Sequence, residues 1–370
     1  MARVRLPDKE MEERIAALLQ LNAGTANRDL LHDIVSTASL FGRDDVTRLE
    51  LKIVSRALQE LRDAFRVFAP HRGKRKVSVF GSARTPPATP LYDLAVRTGR
   101  EAVRQGMMVI TGAGPGVMEA ANIGAGLEGS FGLNIRLPFE PQANAYVRPD
   151  RLMDFKYFFT RKLTFVKESD AFILFPGGFG TNDECFELLT LLQTGKGELC
   201  PVVLLDLPEG TYWKTWLDFV RSELARGGYV DESDLELLMP ADSVEEALRT
   251  IRDFYKLYNS SRYVGDWLMM RLERPLTDGE LDALAREFSD IIVPGSLERS
   301  PAVEEERADP FLRRLSPIRF RFDRRRFSRL KLMIDAINRF EPSAAEAGPA
   351  APVVPPSGAG GHAEDAGLVW

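Results

Sequence analysis

The chain has only two cysteines in 370 residues, Cys185 and Cys200. Two thiols cannot build a disulfide framework, and neither lies in a metal-type cluster. This scarcity makes a reducing, cytoplasmic setting the expectation. Long apolar runs are missing as well: no window approaches the roughly eighteen apolar residues of a membrane span. The opening stretch MARVRLPDKEMEERIAALLQ carries charges throughout and lacks the apolar centre of a signal peptide. No membrane partner is expected. Nor is positive charge in excess. The formal net charge is -5, so no global basic field attracts nucleic acid.

What the chain does have is an ordinary globular composition, 44% hydrophobic and 28% charged, and enough length for one sizeable core and a second, smaller unit. Residues 1–75 form a helical extension on the sequence pattern. In RLELKIVSRALQELRDAFRVFA, Leu49, Ile53, Leu58, Leu61 and Phe65 recur close to helical spacing with charges between them. The basic cluster HRGKRK at 71–76 then reads as a solvated linker.

From Val77 the texture changes. The strand VSVFGSA is followed by the helix LYDLAVRTGREAVRQG, closed by Gly106. The strand MMVITG, a glycine loop, the helix VMEAANIGAGLEG and the strand SFGLNI come next. After an irregular stretch, the helix YFFTRKLTFVKES leads into the strand DAFILF and a further helix, then PVVLLD and TYWKTWLDFVRSELARGG. Alternating strands and helices predict an α/β fold, a doubly wound parallel sheet of Rossmann-like type over residues 76–258.

Residues 259–341 read as a small α+β unit. RYVGDWLMMRLE is expected as one strand, TDGELDALAREFSDII as a helix capped by Thr277 and Glu280, SPIRFRFD as a half-exposed strand and RRFSRLKLMIDAINRF as a helix. The Arg/Phe alternation in RFRFDRRRF is compatible with single-stranded nucleic acid. One buried face of a strand explains it more simply. The tail, residues 342–370, is rich in Pro, Ala and Gly and is expected to be disordered.

Ligands of doubly wound sheets bind at the carboxyl ends of the strands, where the strand order reverses. Three strand ends here carry suitable residues: Gly81 and Ser82; Gly112, Gly114 and Gly116 in TGAGPG; and Gly177, Gly178, Gly180 and Thr181 in PGGFGT. Glycines let backbone N–H groups approach phosphate oxygens, and each following helix adds unpaired donors and the positive end of its dipole. A single such loop explains itself as a tight turn. Two in one sheet favour a phosphate ligand. The spacing G-x-G-x-G, with no acidic residue after the next strand, argues against a dinucleotide, and no G-K-[ST] follows either loop, which excludes a P-loop. A mononucleotide or sugar phosphate remains.

Charged groups flank these loops. Arg161 and Lys162 sit side by side on a helix, about 100° apart, so that one can reach the site while the other pairs elsewhere. Asp183, Glu184 and Glu187 follow PGGFGT. Acids in a first helical turn usually serve only the dipole. A carboxylate beside a bound anion is awkward unless the chemistry uses it, and cleavage of an N-glycosidic bond does, through an oxocarbenium-like state.

With these residues in hand, the chain resembles the LOG ("lonely guy") family of nucleotide phosphoribohydrolases, often labelled lysine decarboxylases. PGGFGTNDE matches the signature P-G-G-x-G-T-x-x-E, TRK at 160–162 matches the preceding Arg-Lys, and VFGSA, TGAGPGVMEAAN and FELLTLLQTGK match further blocks. The resemblance spans about residues 76–258. It implies hydrolysis of nucleoside 5′-monophosphates, AMP-like purine or cytokinin nucleotides, to free base and ribose 5-phosphate. It implies no metal or cofactor, and a homodimer or larger assembly. It further implies Arg161 and Glu184 as the catalytic pair, with Lys162, the glycine loops, Thr190 and Glu140 contacting substrate. The helical extension and the C-terminal unit resemble the longer bacterial type. A decarboxylase would need a Schiff-base lysine and an acid for the pyridine nitrogen, and the pattern around Lys162 supplies neither. The competing reading is a binding module, a carrier of molybdenum-cofactor type that holds a phosphate ligand without cleaving it.

Overall fold

The structure is a computed structural model and describes residues 9–20, 27–136, 143–301 and 311–340. The tail expected to be disordered, residues 342–370, lies outside the described residues. The chain divides into two compact units, residues 1–62 and 63–370. The first holds the helices α1 (Lys9–Gln20) and α2 (Arg28–Leu40) and the start of α3 (Arg48–Phe68). Thr47 and Glu50 close a capping box at the head of α3: the Thr47 backbone N–H donates to the Glu50 carboxylate at 2.6 Å, and the Glu50 N–H returns to the Thr47 hydroxyl at 3.3 Å.

The second unit is built on a seven-stranded sheet. In chain order its elements are β1 (Lys76–Phe80), α4 (Pro90–Arg104), β2 (Met108–Thr111), α5 (Val117–Gly129), β3 (Ser130–Ile135), β4 (Leu152–Phe155), α6 (Phe158–Glu168), β5 (Ala171–Leu174), α7 (Phe179–Gln193), β6 (Val202–Leu205), α8 (Tyr212–Phe219), β7 (Leu238–Ala241) and α9 (Val244–Phe254). The spatial order is β4-β3-β2-β1-β5-β6-β7, and every pairing is parallel. The doubly wound α/β architecture expected from the alternation is therefore what the chain adopts. The strand β4 was concealed in what reads as an irregular stretch: four residues, LMDF, are too short to show a period.

Continuous apolar runs make such strands because both faces are covered. Alternate residues of β5 and β6 go to opposite sides. Ile173 and Val203 join the core under α4, α5 and α9, while Phe172, Leu174, Val202 and Leu204 join the core that contains Leu188 and Leu192 of α7. The chain builds outward from β1 to β4 and then returns to place β5 on the other side of β1. The order thus reverses between β1 and β5, the place at which sheets of this kind bind ligands beyond their carboxyl ends.

The remaining elements are β8 (Tyr258–Val264), β9 (Trp267–Leu272), α10 (Asp278–Glu287), β10 (Glu298–Arg299), β11 (Ser316–Phe320) and α11 (Phe327–Asn338). They include a four-stranded sheet ordered β10-β11-β9-β8 with antiparallel pairings. The stretch expected as one strand is a hairpin. Val264 pairs with Trp267 across a two-residue turn, and Gly265 takes a φ of 58° that a side chain would resist. The Thr277–Glu280 capping box is present. In β11, Ile318 and Phe320 are buried while Arg319 is not, the alternation of one covered face. The core beneath α7 continues without a break through Met270, Phe320 and Ile334.

One buried side chain fastens the end of α11 to the end of the parallel-sheet region. Asn338 accepts the backbone N–H groups of Leu257 and Tyr258 at 2.8 and 2.9 Å and donates to the Phe254 carbonyl at 2.5 Å. Replacing Asn338 with leucine strands three backbone groups in a buried position, at about 1–3 kcal/mol for each group left unpaired. Asn338→Leu is expected to lower the urea unfolding midpoint clearly with an unchanged slope. An unshifted midpoint contradicts this role.

Candidate active site

The three strand ends singled out in the sequence come together, and Ser82 stitches them. Its backbone N–H donates to the Pro176 carbonyl at 3.2 Å, and its own carbonyl accepts the Val117 N–H at 3.1 Å. The loop after β1 is thus bonded to the loop after β5 and to the head of α5. Gly116 sits against this knot with a φ of 69°, and a Cβ there would lie 2.3 Å from the Ser82 carbonyl oxygen. No other residue fits that position.

The loop after β5 forms an open cradle. Gly178 is the N-cap of α7 and supplies no side chain to the first turn, while a Cβ on Gly178 or Gly180 would meet nothing within 4 Å. The first N–H groups of α7 thus have neither an intrahelical partner nor a capping side chain, the arrangement that receives an anion. Gly177 makes room for Thr181, whose hydroxyl oxygen would be 2.1 Å from a Cβ at 177. Tyr212 fixes the loop from α8: its hydroxyl donates to the Gly177 carbonyl at 2.7 Å and accepts from the Asn182 amide at 2.9 Å.

The loop after β2 is held by amides that the sequence did not single out. The Thr111 hydroxyl donates to Asn122 Oδ1 at 2.7 Å and accepts the Ala113 N–H at 2.9 Å, and the Asn144 amide donates to Asn122 Oδ1 and the Gly114 carbonyl. Ala113 is kept at a φ of 56° by this network. Gly112 leaves space for the Arg161 guanidinium, which a Cβ would meet at 2.4 Å. The Nε of Arg161 donates to the Leu133 carbonyl at 2.7 Å, so β3 aims the guanidinium toward the carboxyl ends.

The neighbours Arg161 and Lys162 diverge as their helical spacing requires. Where Arg161 turns to β3 and the second glycine loop, Lys162 Nζ lies 2.9 Å from Asp183, 2.7 Å from Glu187 and 3.8 Å from Glu184. Burial works against the lysine's charge, but its bonds to Asp183 and Glu187 prevail and hold its pKa above the ordinary value. Glu184 is only 7% exposed. Burial pushes its carboxyl up to about 7, against the pull of Lys162 and Arg161 and with the help of Glu187 and Asp183. A carboxylate that titrates near neutrality, in a crevice between two cations, is equipped for proton transfer or for facing a developing positive charge.

Two expected contacts remain, Thr190 and Glu140. Thr190 is exposed and its hydroxyl donates to the Phe186 carbonyl at 2.7 Å, one turn back on α7. Glu140 lies outside the described residues. Asn122, Asn144 and Tyr212 are the residues the sequence reading missed. The one signal for the first was an asparagine within TGAGPGVMEAAN on the helix that follows a glycine loop.

A family model described as "Possible lysine decarboxylase" matches residues 101–251. Cytokinin riboside 5′-monophosphate phosphoribohydrolase of Mycobacterium tuberculosis is 30% identical over 183 residues, which are 48% of this chain and 93% of that protein. Cytokinin riboside 5′-monophosphate phosphoribohydrolase LOG1 of Arabidopsis thaliana is 30% identical over 112 residues, 30% of this chain and 51% of the plant protein, so that match spans about half of the relative. Among solved structures, the molybdenum cofactor binding protein of the phototrophic bacterium Rippkaea orientalis is 23% identical, with a TM-score of 0.36 over 48% of this chain and 96% of that one. With PGGFGTNDE and TRK in place and the mycobacterial relative matched over nearly its whole length, the chain belongs to the LOG family.

Proposed function

We propose that the protein hydrolyses the N-glycosidic bond of nucleoside 5′-monophosphates, AMP-like purine or cytokinin nucleotides, within residues 76–258. The observation that carries this reading is the buried Glu184 carboxylate, held next to an anion cradle by Arg161 and Lys162. The 5′-phosphate takes the open N–H groups at the head of α7, with Gly177, Gly178, Gly180 and Thr181 around it and Gly81, Ser82, Gly112, Gly114 and Gly116 completing the floor. The bond from C1′ to the base nitrogen breaks and its electron pair leaves with the base. Glu184 faces the positive charge that develops on the ribose and takes a proton from the attacking water. The water hydroxyl ends on C1′, and the base gains a proton. Arg161 offers a fixed fork to substrate oxygens. The likeness to the relatives named above supports the substrate class.

Several large apolar side chains stand exposed on the elements that carry the pair: Phe158, Phe159, Phe179 and Phe186. Such a grouping supports an assembly of two or more copies. Light scattering after size exclusion is expected to give at least twice the 41.4 kDa chain mass. A monomer at working concentration overturns that part.

The activity is tested by incubating the protein with a panel of nucleoside 5′-monophosphates, cytokinin nucleotides included, and quantifying free base and ribose 5-phosphate. Release is expected, with kcat lowered about 100-fold or more in Glu184→Gln. Stoichiometric binding of a nucleotide without cleavage supports the carrier reading instead and leaves Glu184 as a member of the ion-pair set around Lys162.

The working form of Glu184 in this mechanism is the carboxylate, so kcat/KM is expected to rise with pH and level off above about 7. Glu187→Gln removes a negative charge that raises the Glu184 pKa, and the limb moves to lower pH. A limb that stays in place, or moves to higher pH, contradicts the assignment of the limb to Glu184.

A further inference from the structure

Between residues 316 and 329 the chain carries six arginines and a single carboxylate, Asp323. One covered face accounts for the apolar half of this stretch, since Ile318 and Phe320 of β11 are buried. The other half is a surface. Alternation along β11 turns Arg319 and Arg321 to the outer side of the four-stranded sheet. The register there sets Glu298, Arg319, Met269 and Arg262 in one row across β10, β11, β9 and β8. One step on, Arg321 stands beside Trp267, which pairs with the exposed Val264 across the hairpin.

Both arginines stack on that indole. The Arg319 guanidinium lies 4.5 Å from the ring centre and the Arg321 guanidinium 5.4 Å. At the turn after β11, Arg324 takes a φ of 58°, donates to the Gly265 carbonyl at 2.9 Å and lies 4.7 Å from the Tyr263 ring centre. Arg324 and its neighbours Arg325 and Arg326 are thereby folded back beside the hairpin. Carboxylates answer part of this charge. Arg319 donates to Glu298 at 2.7 Å, Arg324 faces Asp266 at 3.5 Å, and Arg326 pairs with Asp323 at 2.7 Å and Asp290 at 3.2 Å. Arg321 and Arg325 are exposed, and their guanidinium groups make no hydrogen bond or ion pair among the described residues. A local excess of positive charge therefore lies beside stacked π-faces, on a chain whose formal net charge is -5. Phosphate recognition alone would need only the arginines. The indole and the guanidinium planes on it add flat surfaces of the kind on which unpaired bases stack, and a duplex hides its base faces from them.

We propose that the outer face of the small antiparallel sheet is a binding surface for single-stranded nucleic acid. Arg321 and Arg325 take backbone phosphates, while bases stack on Trp267 and on the guanidinium planes beside it. The surface is built from β8, β9, β11 and the turn after it, outside residues 76–258 that carry the glycine loops. It stands or falls independently of the proposed hydrolysis.

The test uses the full chain and a single-stranded RNA of about twelve nucleotides, followed by fluorescence anisotropy. The label is placed at the 5′ end, so that no terminal monophosphate is offered to the glycine loops. Saturable binding at about 50 mM salt is expected, at least tenfold tighter than for the duplex of the same length and not displaced by AMP. Raising the salt to about 200 mM is expected to weaken it roughly tenfold, as two or three phosphate contacts require. Two variants act by independent means. The double variant Arg321→Gln, Arg325→Gln removes exposed charge, and is expected to weaken the RNA at least fivefold and to flatten the salt dependence. Trp267→Leu keeps the charges, and is expected to weaken the RNA at least fivefold while binding of heparin, a polyanion without bases, stays unchanged. The melting profile of each variant shows whether the protein is folded. The proposal is overturned by no saturable RNA binding to the native chain, by a duplex bound as tightly, or by native affinity in the folded double variant. Native affinity in a folded Trp267→Leu protein also overturns it, leaving a surface for polyanions in general, and displacement by AMP would place the RNA at the glycine loops instead.

Discussion

The ammonium of Lys162 is the interaction on which the candidate active site depends. Three carboxylates, Asp183, Glu184 and Glu187, occupy little more than one turn of α7 and repel one another. Lys162 lies within 4 Å of all three, and it comes from a different helix, α6. It therefore does two things at once. It fastens α6 to α7 at the level of the crevice, and it offsets part of the cost of burying Glu184. The offset is incomplete, since burial still leaves Glu184 titrating near neutrality. That incompleteness is useful, because a fully compensated carboxylate would have an ordinary acidity and little capacity to take a proton at neutral pH.

Around that ion-pair set, the rest of the site is backbone. The parallel sheet buries both faces, so chemistry is confined to its ends, and the reversal between β1 and β5 opens the crevice there. Ser82 ties the three loops through its own main chain, and Gly116 has the one conformation that permits the contact. Gly112 and Gly177 supply space, the first for Arg161 and the second for Thr181.

Much of this was legible in the sequence because it is local. The runs VSVF, MMVI and AFIL are largely apolar on both faces, as a covered strand tolerates, and the glycines follow close behind each of them. The divergence of Arg161 and Lys162 follows from helical geometry alone. The failures have physical reasons of their own. β4 is too short for a period. The hairpin at Gly265 is framed by Tyr, Val, Trp and Leu on both sides, so the two-residue turn is hidden in a continuous β-forming run. Asn122, Asn144 and Tyr212 act through contacts 11 to 35 residues apart in sequence, a relation that no local pattern encodes.

The account's central claim is that Glu184 faces the reacting bond of a nucleotide whose phosphate rests on the head of α7. A crystal structure of the Glu184→Gln protein with intact AMP tests this most directly. The account predicts the phosphate on the N–H groups of residues 178–181 and ribose C1′ beside the side chain at position 184, with the Arg161 guanidinium on substrate oxygens. A phosphate bound elsewhere, or a nucleotide seated with its C1′ turned away from position 184, would contradict it.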